Sequence, residues 1–141
     1  MTQQKHPDPR LSEEPYALQR HLGFTLAMWE QDRARLELPI AENLMNRAGM
    51  PHGGVYATLI DTVMGYAGCY AADLDNPVHA LTISLTTNFL SRPKGQLLIA
   101  NGIRVGGGAS TFFAEATVVD ETGEMIARGS GAFKYRSSKR A

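Results

Sequence analysis

The sequence predicts one α+β domain in which an antiparallel β-sheet wraps around a long central α-helix. Three observations carry that expectation. Residues 52–72, HGGVYATLIDTVMGYAGCYAA, form an apolar run with a single charge, Asp61. After it, four stretches read as successive strands joined by short turns, the first with clear period-two alternation. A sheet with one apolar face must be covered, and the central run is the one segment adequate to cover it.

Composition bounds the rest. A chain of 141 residues fits one domain with a real core. Lys plus Arg and Asp plus Glu are 14 each, so the net charge is zero and neither nucleic acid nor an acidic membrane surface has an electrostatic case. The one cysteine, Cys69, lies inside the apolar run, cannot form an internal disulfide and reads as an inert buried thiol. The polar start, MTQQKHPDPR, shows no signal peptide, which implies a reducing, cytoplasmic setting. Residues 1–14 are expected to be a flexible N-terminus, 15–136 the folded domain, and 137–141 a solvated C-terminal tail.

Taken in order, Ser12 followed by Glu13, Glu14 and Pro15 suits a capped helix start, with the helix running to about Leu22 and Gly23 after its end. From Phe24 the period becomes two. Phe24, Leu26 and Met28 alternate with Thr25, Ala27 and Trp29, and Leu36 and Leu38 with Arg35 and Glu37, around a polar turn at 31–33: a hairpin that Pro39 ends. Residues 40–51 are irregular. The apolar helix follows, from Gly53 to about residue 73, closed by the polar loop 73–77. Asp61 near its centre would be costly in lipid, and the run is rich in Gly and Ala, so it reads as a helix sealed inside protein rather than a membrane span. Leu81, Ile83, Leu85, Thr87 and Phe89 then alternate with Thr82, Ser84, Thr86 and Asn88. Residues 91–95 make a turn, and strands follow at about 97–105, 111–119 and 125–135, with Gly123 suited to a left-handed turn position.

The chemistry concentrates at the helix. A start at Gly53-Gly54 offers free backbone N–H groups at a positive dipole end, and glycine lets a ligand come close. Such a terminus suits an anion or an oxygen becoming one; taken alone, it reads first as a plain tight entry to a helix. Asp61 is eight residues further on, about 12 Å along the axis, so one small electrophilic group cannot meet both in the same chain. Two copies with these helices antiparallel would bring the amide of one to the acid of the other, with Ala57, Gly65, Ala67 and Gly68 permitting close approach. The acid is expensive in an apolar helix unless partnered, which favours a functional reason without naming a reaction.

At these residues a family resemblance appears. Asn46-x-x-Gly49-x-x-His52-Gly53-Gly54, with Asp61 nine residues after the histidine, resembles the hotdog-fold acyl-CoA thioesterases, in particular the phenylacetate-pathway type. The resemblance spans about residues 15–135. It implies that the Gly53 amide polarises a thioester carbonyl, that Asp61 of the partner chain is nucleophile or general base, and that Asn46 holds the water or the carbonyl. It also implies that Thr82 assists the acid and that His52 shapes the loop beside Gly54 rather than acting as base. Relatives often carry a basic residue after a glycine near the strand turn that meets the coenzyme A nucleotide; residues 105–110, VGGGAS, have none, which leaves Arg92 and Lys94 as candidates for the phosphates. The acyl group would lie between protomers against Met45, Met50 and Tyr56. No cofactor is implied beyond the coenzyme A of the substrate, and the four scattered histidines have no metal-ligand spacing. The implied assembly is a homodimer at minimum and by resemblance a homotetramer. The alternative from another class is a hotdog dimer that binds an acyl ligand without turning it over; Asp61 and Asn46 together argue against it. Hydratases of this fold show Asp-x-x-x-x-His, and here Tyr66 stands five residues past Asp61.

Overall fold

The structure, a computed structural model, describes residues 8–136. A short helix α1 (Ala17–Leu22) leads into the hairpin β1 (Thr25–Glu30) and β2 (Arg33–Pro39). The long helix α2 (Gly53–Gly68) follows, then β3 (Ala80–Phe89), β4 (Leu97–Gly107), β5 (Thr111–Asp120) and β6 (Met125–Tyr135). All six strands form one antiparallel sheet in the order β1-β2-β4-β5-β6-β3. The sheet curls around α2, which meets every strand. Among the described residues no helix is long and apolar enough to cross a membrane.

The core is the inner face of the sheet closed on one stripe of the helix. Leu36, Leu38, Leu98, Phe112 and Phe133 come from the strands and Leu59, Ile60, Val63 and Met64 from α2, all essentially inaccessible. The helix is amphipathic in its own way: Val55, Tyr56, Leu59, Ile60, Val63, Met64 and Ala67 point inward, while Ala57, Thr58, Asp61, Thr62 and Gly65 form a half-buried outer stripe. The expectation of a fully sealed helix is thus corrected, as is the set of small residues offered for helix approach. Ala67 sits in the core, and a Cβ on Gly68 would overlap the Phe112 ring.

Other expectations shift for identifiable reasons. The central helix ends at Gly68, not near 73. Its last carbonyls are taken by side chains from the sheet, Trp29 Nε1 donating to Tyr66 O at 2.7 Å and the Tyr135 hydroxyl to Gly68 O at 2.8 Å. Ser12 caps no α-helix: it follows a 3-10 turn at Pro9–Leu11, and α1 begins after Tyr16 with no side-chain cap. Gly23 does close α1, in the left-handed region at φ 93°. The expected flexible terminus is therefore structured in its second half; residues 1–7 and the tail 137–141 lie outside the described residues. A bulge at Ala27 reverses the parity of β1, so that Trp29 rather than Met28 joins the core. β3 is joined to β4 by the short turn yet pairs with β6, at the far edge of the sheet, so its apolar Leu81, Ile83, Leu85 and Phe89 are exposed.

The connection from β3 to β4 is held by two acids at the end of β5. Asp120, inaccessible, accepts from the amides of Lys94, Gly95, Thr122 and Glu124 and from the Thr122 hydroxyl, and Glu121 accepts from the amides of Gln96 and Leu97. These bonds depress the Asp120 carboxyl well below the usual carboxylate range, the Thr122 hydroxyl first among them.

Candidate active site

Helix α2 begins where His52 caps it. The His52 Nδ1 accepts from the Gly54 N–H at 2.8 Å. An accepting Nδ1 has its lone pair committed to that bond. The bond also uses up the Gly54 amide. The Gly53 N–H, one position earlier, has no acceptor among the described residues. Gly53 adjoins Phe89, whose ring lies 3.2 Å from where a Cβ would stand.

The loop before the helix is built on Asn46. Its side-chain oxygen accepts from Ala48 N at 2.9 Å and Met50 N at 3.2 Å, and its backbone N–H donates to Met50 O at 2.6 Å. This is a self-contained turn that leaves only the Nδ2 donor for another partner. Met45 pairs with Pro51 across an isolated bridge, Met50 is half-buried beside it, and Tyr56 is buried with its ring against Phe89 at 6.4 Å. These residues gather at the Gly53 end of the helix.

Asp61 lies two turns further along. The Thr82 hydroxyl donates to its Oδ1 at 2.6 Å. A second bulge, at Ile83, is what turns Thr82 to the helix side: Thr82 pairs opposite Phe133 and Ser84 opposite Ala132, and from Leu85 onward the strand resumes with the opposite parity. Since Gly53 meets Phe89 and Asp61 meets Thr82, α2 and β3 run antiparallel, and within one chain the free amide and the acid stand at opposite ends of the pair.

Beside Asp61 opens a cavity of about 730 Å³. It is lined by Asp61, Thr62, Gly65 and Tyr66 of the helix, Thr82 of β3, Trp29 of β1, the N-terminal segment with Tyr16, and the loop with Leu74 and Val78. Burial first, and the Asp61 carboxylate with it, push the Tyr16 phenol up, with Thr62 acting in the opposite direction. Burial pushes the Tyr66 phenol up to about 12. Both hydroxyls are protonated donors at neutral pH. Cys69 borders the cavity, and burial raises its thiol to about 11, so it carries no reactive thiolate. A second groove, about 390 Å³ on the outer face of the sheet, is lined by Met28, Arg33, Asn101, Glu115 and Arg128 and contains none of these groups.

Sequence reasoning missed Tyr16, Trp29, Thr62, Gly65 and Tyr66. Gly65 stands four residues after Asp61 and so shares its helix face, a signal that was legible; nothing in the sequence ties the N-terminal segment to this site. Of the two basic residues offered for phosphates, Arg92 is exposed in the turn, while Lys94 Nζ is paired with Glu124 at 3.1 Å. No three His, Cys, Asp or Glu side chains among the described residues gather as a metal site.

The sequence pattern of the thioesterase superfamily matches residues 48–127, from just before the helix through β5 and into β6. A putative esterase of Halobacterium salinarum is 32% identical over 129 residues, covering 84% of each chain. A 1,4-dihydroxy-2-naphthoyl-CoA hydrolase of Listeria monocytogenes is 26% identical over 109 residues, 77% of this chain and 87% of that one. The crystal structure of a thioesterase from Haemophilus influenzae superimposes with a TM-score of 0.78 at 16% identity, over 88% of this chain and 85% of that one.

Proposed function

The chain belongs to the thioesterase superfamily and is a thioester hydrolase with that family's hotdog fold, and we propose that it cleaves acyl-CoA thioesters, aryl-acetyl or medium-chain, at a site shared by two copies of the chain. The observation that carries this reading is the Asp61 carboxylate, held by Thr82 at the wall of a cavity large enough for an acyl group. The Listeria relative, named for hydrolysis of an aryl-CoA, supports the substrate class.

With Oδ1 engaged by Thr82, Oδ2 of Asp61 is the oxygen that acts as general base on water. Water adds to the thioester carbonyl, whose developing oxyanion is met by the unpartnered Gly53 N–H, with Asn46 Nδ2 as a second donor. The C–S bond then breaks, the acid is released, and the proton taken by Asp61 goes to the leaving thiolate. His52 acts through the loop: its lone pair is spent on Gly54 N–H.

The two-chain site is supported by the edge of the sheet. β3 is ten residues long with no Lys or Pro in it, and four of its apolar side chains are exposed. An edge of that kind is a liability unless paired. Antiparallel pairing of two β3 strands about a two-fold axis near Leu85 would carry the partner's Phe89 end, with its Gly53, toward Thr82 and Asp61 of the first chain. Exposed Ile103, Val105 and Phe113 on the outer face supply surface for a further contact, dimer to tetramer.

The test is free-thiol release from a panel of acyl-CoAs, wild type beside Asp61→Asn. The variant keeps shape and removes charge, and turnover is expected to fall by about 10²–10⁴-fold with the melting temperature held. Undiminished turnover would overturn the assignment of Asp61.

A further inference from the structure

We propose that Gly65 is the floor of the acyl pocket and sets the size of the group admitted, which is a bulky, ring-bearing one. The inference rests on the acyl-CoA reading of the Asp61 site. Gly65 lies inside a 16-residue helix, where glycine is less favourable than alanine. Its φ is not among the positive ones. A Cβ added there would find only a Phe133 ring carbon, at 4.0 Å, an ordinary contact. Gly68, three residues on, is different, because there a Cβ would overlap Phe112. Neither backbone nor packing therefore asks for glycine at 65. What its missing side chain leaves is open space in the cavity of about 730 Å³, one helical turn beyond the Asp61 carboxylate.

The walls say what fills that space. Tyr16, Trp29 and Tyr66 present aromatic surface beside Gly65, Leu74 and Val78 add aliphatic contact from the loop, and Glu13, Glu14 and Asp73 make the rest of the lining polar. Rings pack on rings in offset or edge-on contact. Small-molecule pockets run roughly 300–1,000 Å³, so the space suits an arylacyl group and is far more than an acetyl needs. The wall bearing Tyr16 is tied down: Arg10 places its guanidinium 5.1 Å from the Tyr70 ring centre and donates to Ala72 O at 3.4 Å. The acyl group would thus sit within the protomer that supplies Asp61, not against Met45, Met50 and Tyr56 at the Gly53 end.

The experiment compares kcat/KM for phenylacetyl-CoA and acetyl-CoA in wild type, Gly65→Ala and Gly65→Leu. Phenylacetyl-CoA should lose stepwise with size, by at least about tenfold in Gly65→Leu, while acetyl-CoA changes little. The Gly65→Ala protein should melt no lower than wild type. A parallel loss on both substrates, or no change on phenylacetyl-CoA, would overturn the proposal. Trp29, the chain's one tryptophan, gives a second readout in the Asp61→Asn background. Phenylacetyl-CoA should change its fluorescence saturably, and Gly65→Leu should abolish the change. That response in a protein whose wild type hydrolyses nothing would sink the hydrolase and keep the pocket; no response would sink the pocket.

Discussion

The hydroxyl of Thr82 and the carboxylate of Asp61 make one charge-assisted bond of 2.6 Å, and its consequence can be measured. Hydrogen bonds to charged groups are worth about 1.5–3 kcal/mol, so Thr82→Val should lower kcat by roughly ten- to a hundredfold with little change in KM. His52 offers a sharper distinction. If it only caps the helix, His52→Asn, which replaces one accepting side chain with another, should retain most activity, whereas His52→Ala should destabilise the protein by about 1 kcal/mol. Loss of turnover in His52→Asn with an unchanged melting curve would mean that the ring does chemistry. Asn46, His52, Gly53 and Asp61 were legible in the sequence because they sit within 16 residues and their spacing is a pattern. The Thr82 contact was not fixed by spacing, since the bulge at Ile83 decides which face that residue takes.

Helix α2 carries two requirements on opposite sides. Its inner side packs at close quarters: Gly68→Ala would drive a methyl into Phe112, and overpacking of this kind costs about 1–3 kcal/mol, visible as a lowered denaturation midpoint with an unchanged slope. The outer stripe from Ala57 to Gly65 makes room instead. All six strands and the helix were legible from periodicity and turn residues, because apolar alternation and glycine-bearing turns are local. What periodicity could not show were events set by tertiary contact. The bulge at Ala27 exchanges Met28 for Trp29 in the core. Trp29 and Tyr135 end the helix at Gly68. The chain also carries β3 across the sheet to its far edge. Leu81, Ile83 and Leu85 are exposed there, so the period-two pattern in β3 belongs to an uncovered edge strand rather than to the core.

The whole domain is pinned at one end by Asp120. Its carboxyl titrates below the ordinary range in the folded state, so the unfolded chain binds its proton first. The contribution to stability is therefore complete at neutral pH and is lost as the pH falls below about 4 toward the lower folded value. Asp120→Asn should melt lower at pH 7 and show a shallower loss of stability between about pH 4 and pH 2. The assembly is the larger question, because one chain separates its free amide from its acid. Gly53 is the first residue of α2, where proline is well tolerated, and His52 before it is extended at ψ 139° as a residue preceding proline requires. Gly53→Pro thus deletes the donor and keeps the helix start, provided the Phe89 ring, 3.2 Å from the Cβ position, gives way by a few tenths of an ångström, which an unchanged melting temperature checks. The decisive measurement is the activity of Gly53→Pro and Asp61→Asn proteins, each inactive alone, after they are mixed and allowed to exchange subunits. A shared site restores one intact centre in every mixed dimer, and activity should rise to about a quarter of wild type at random pairing. A mixture that forms mixed dimers and stays as inactive as its components would contradict a site built from two chains.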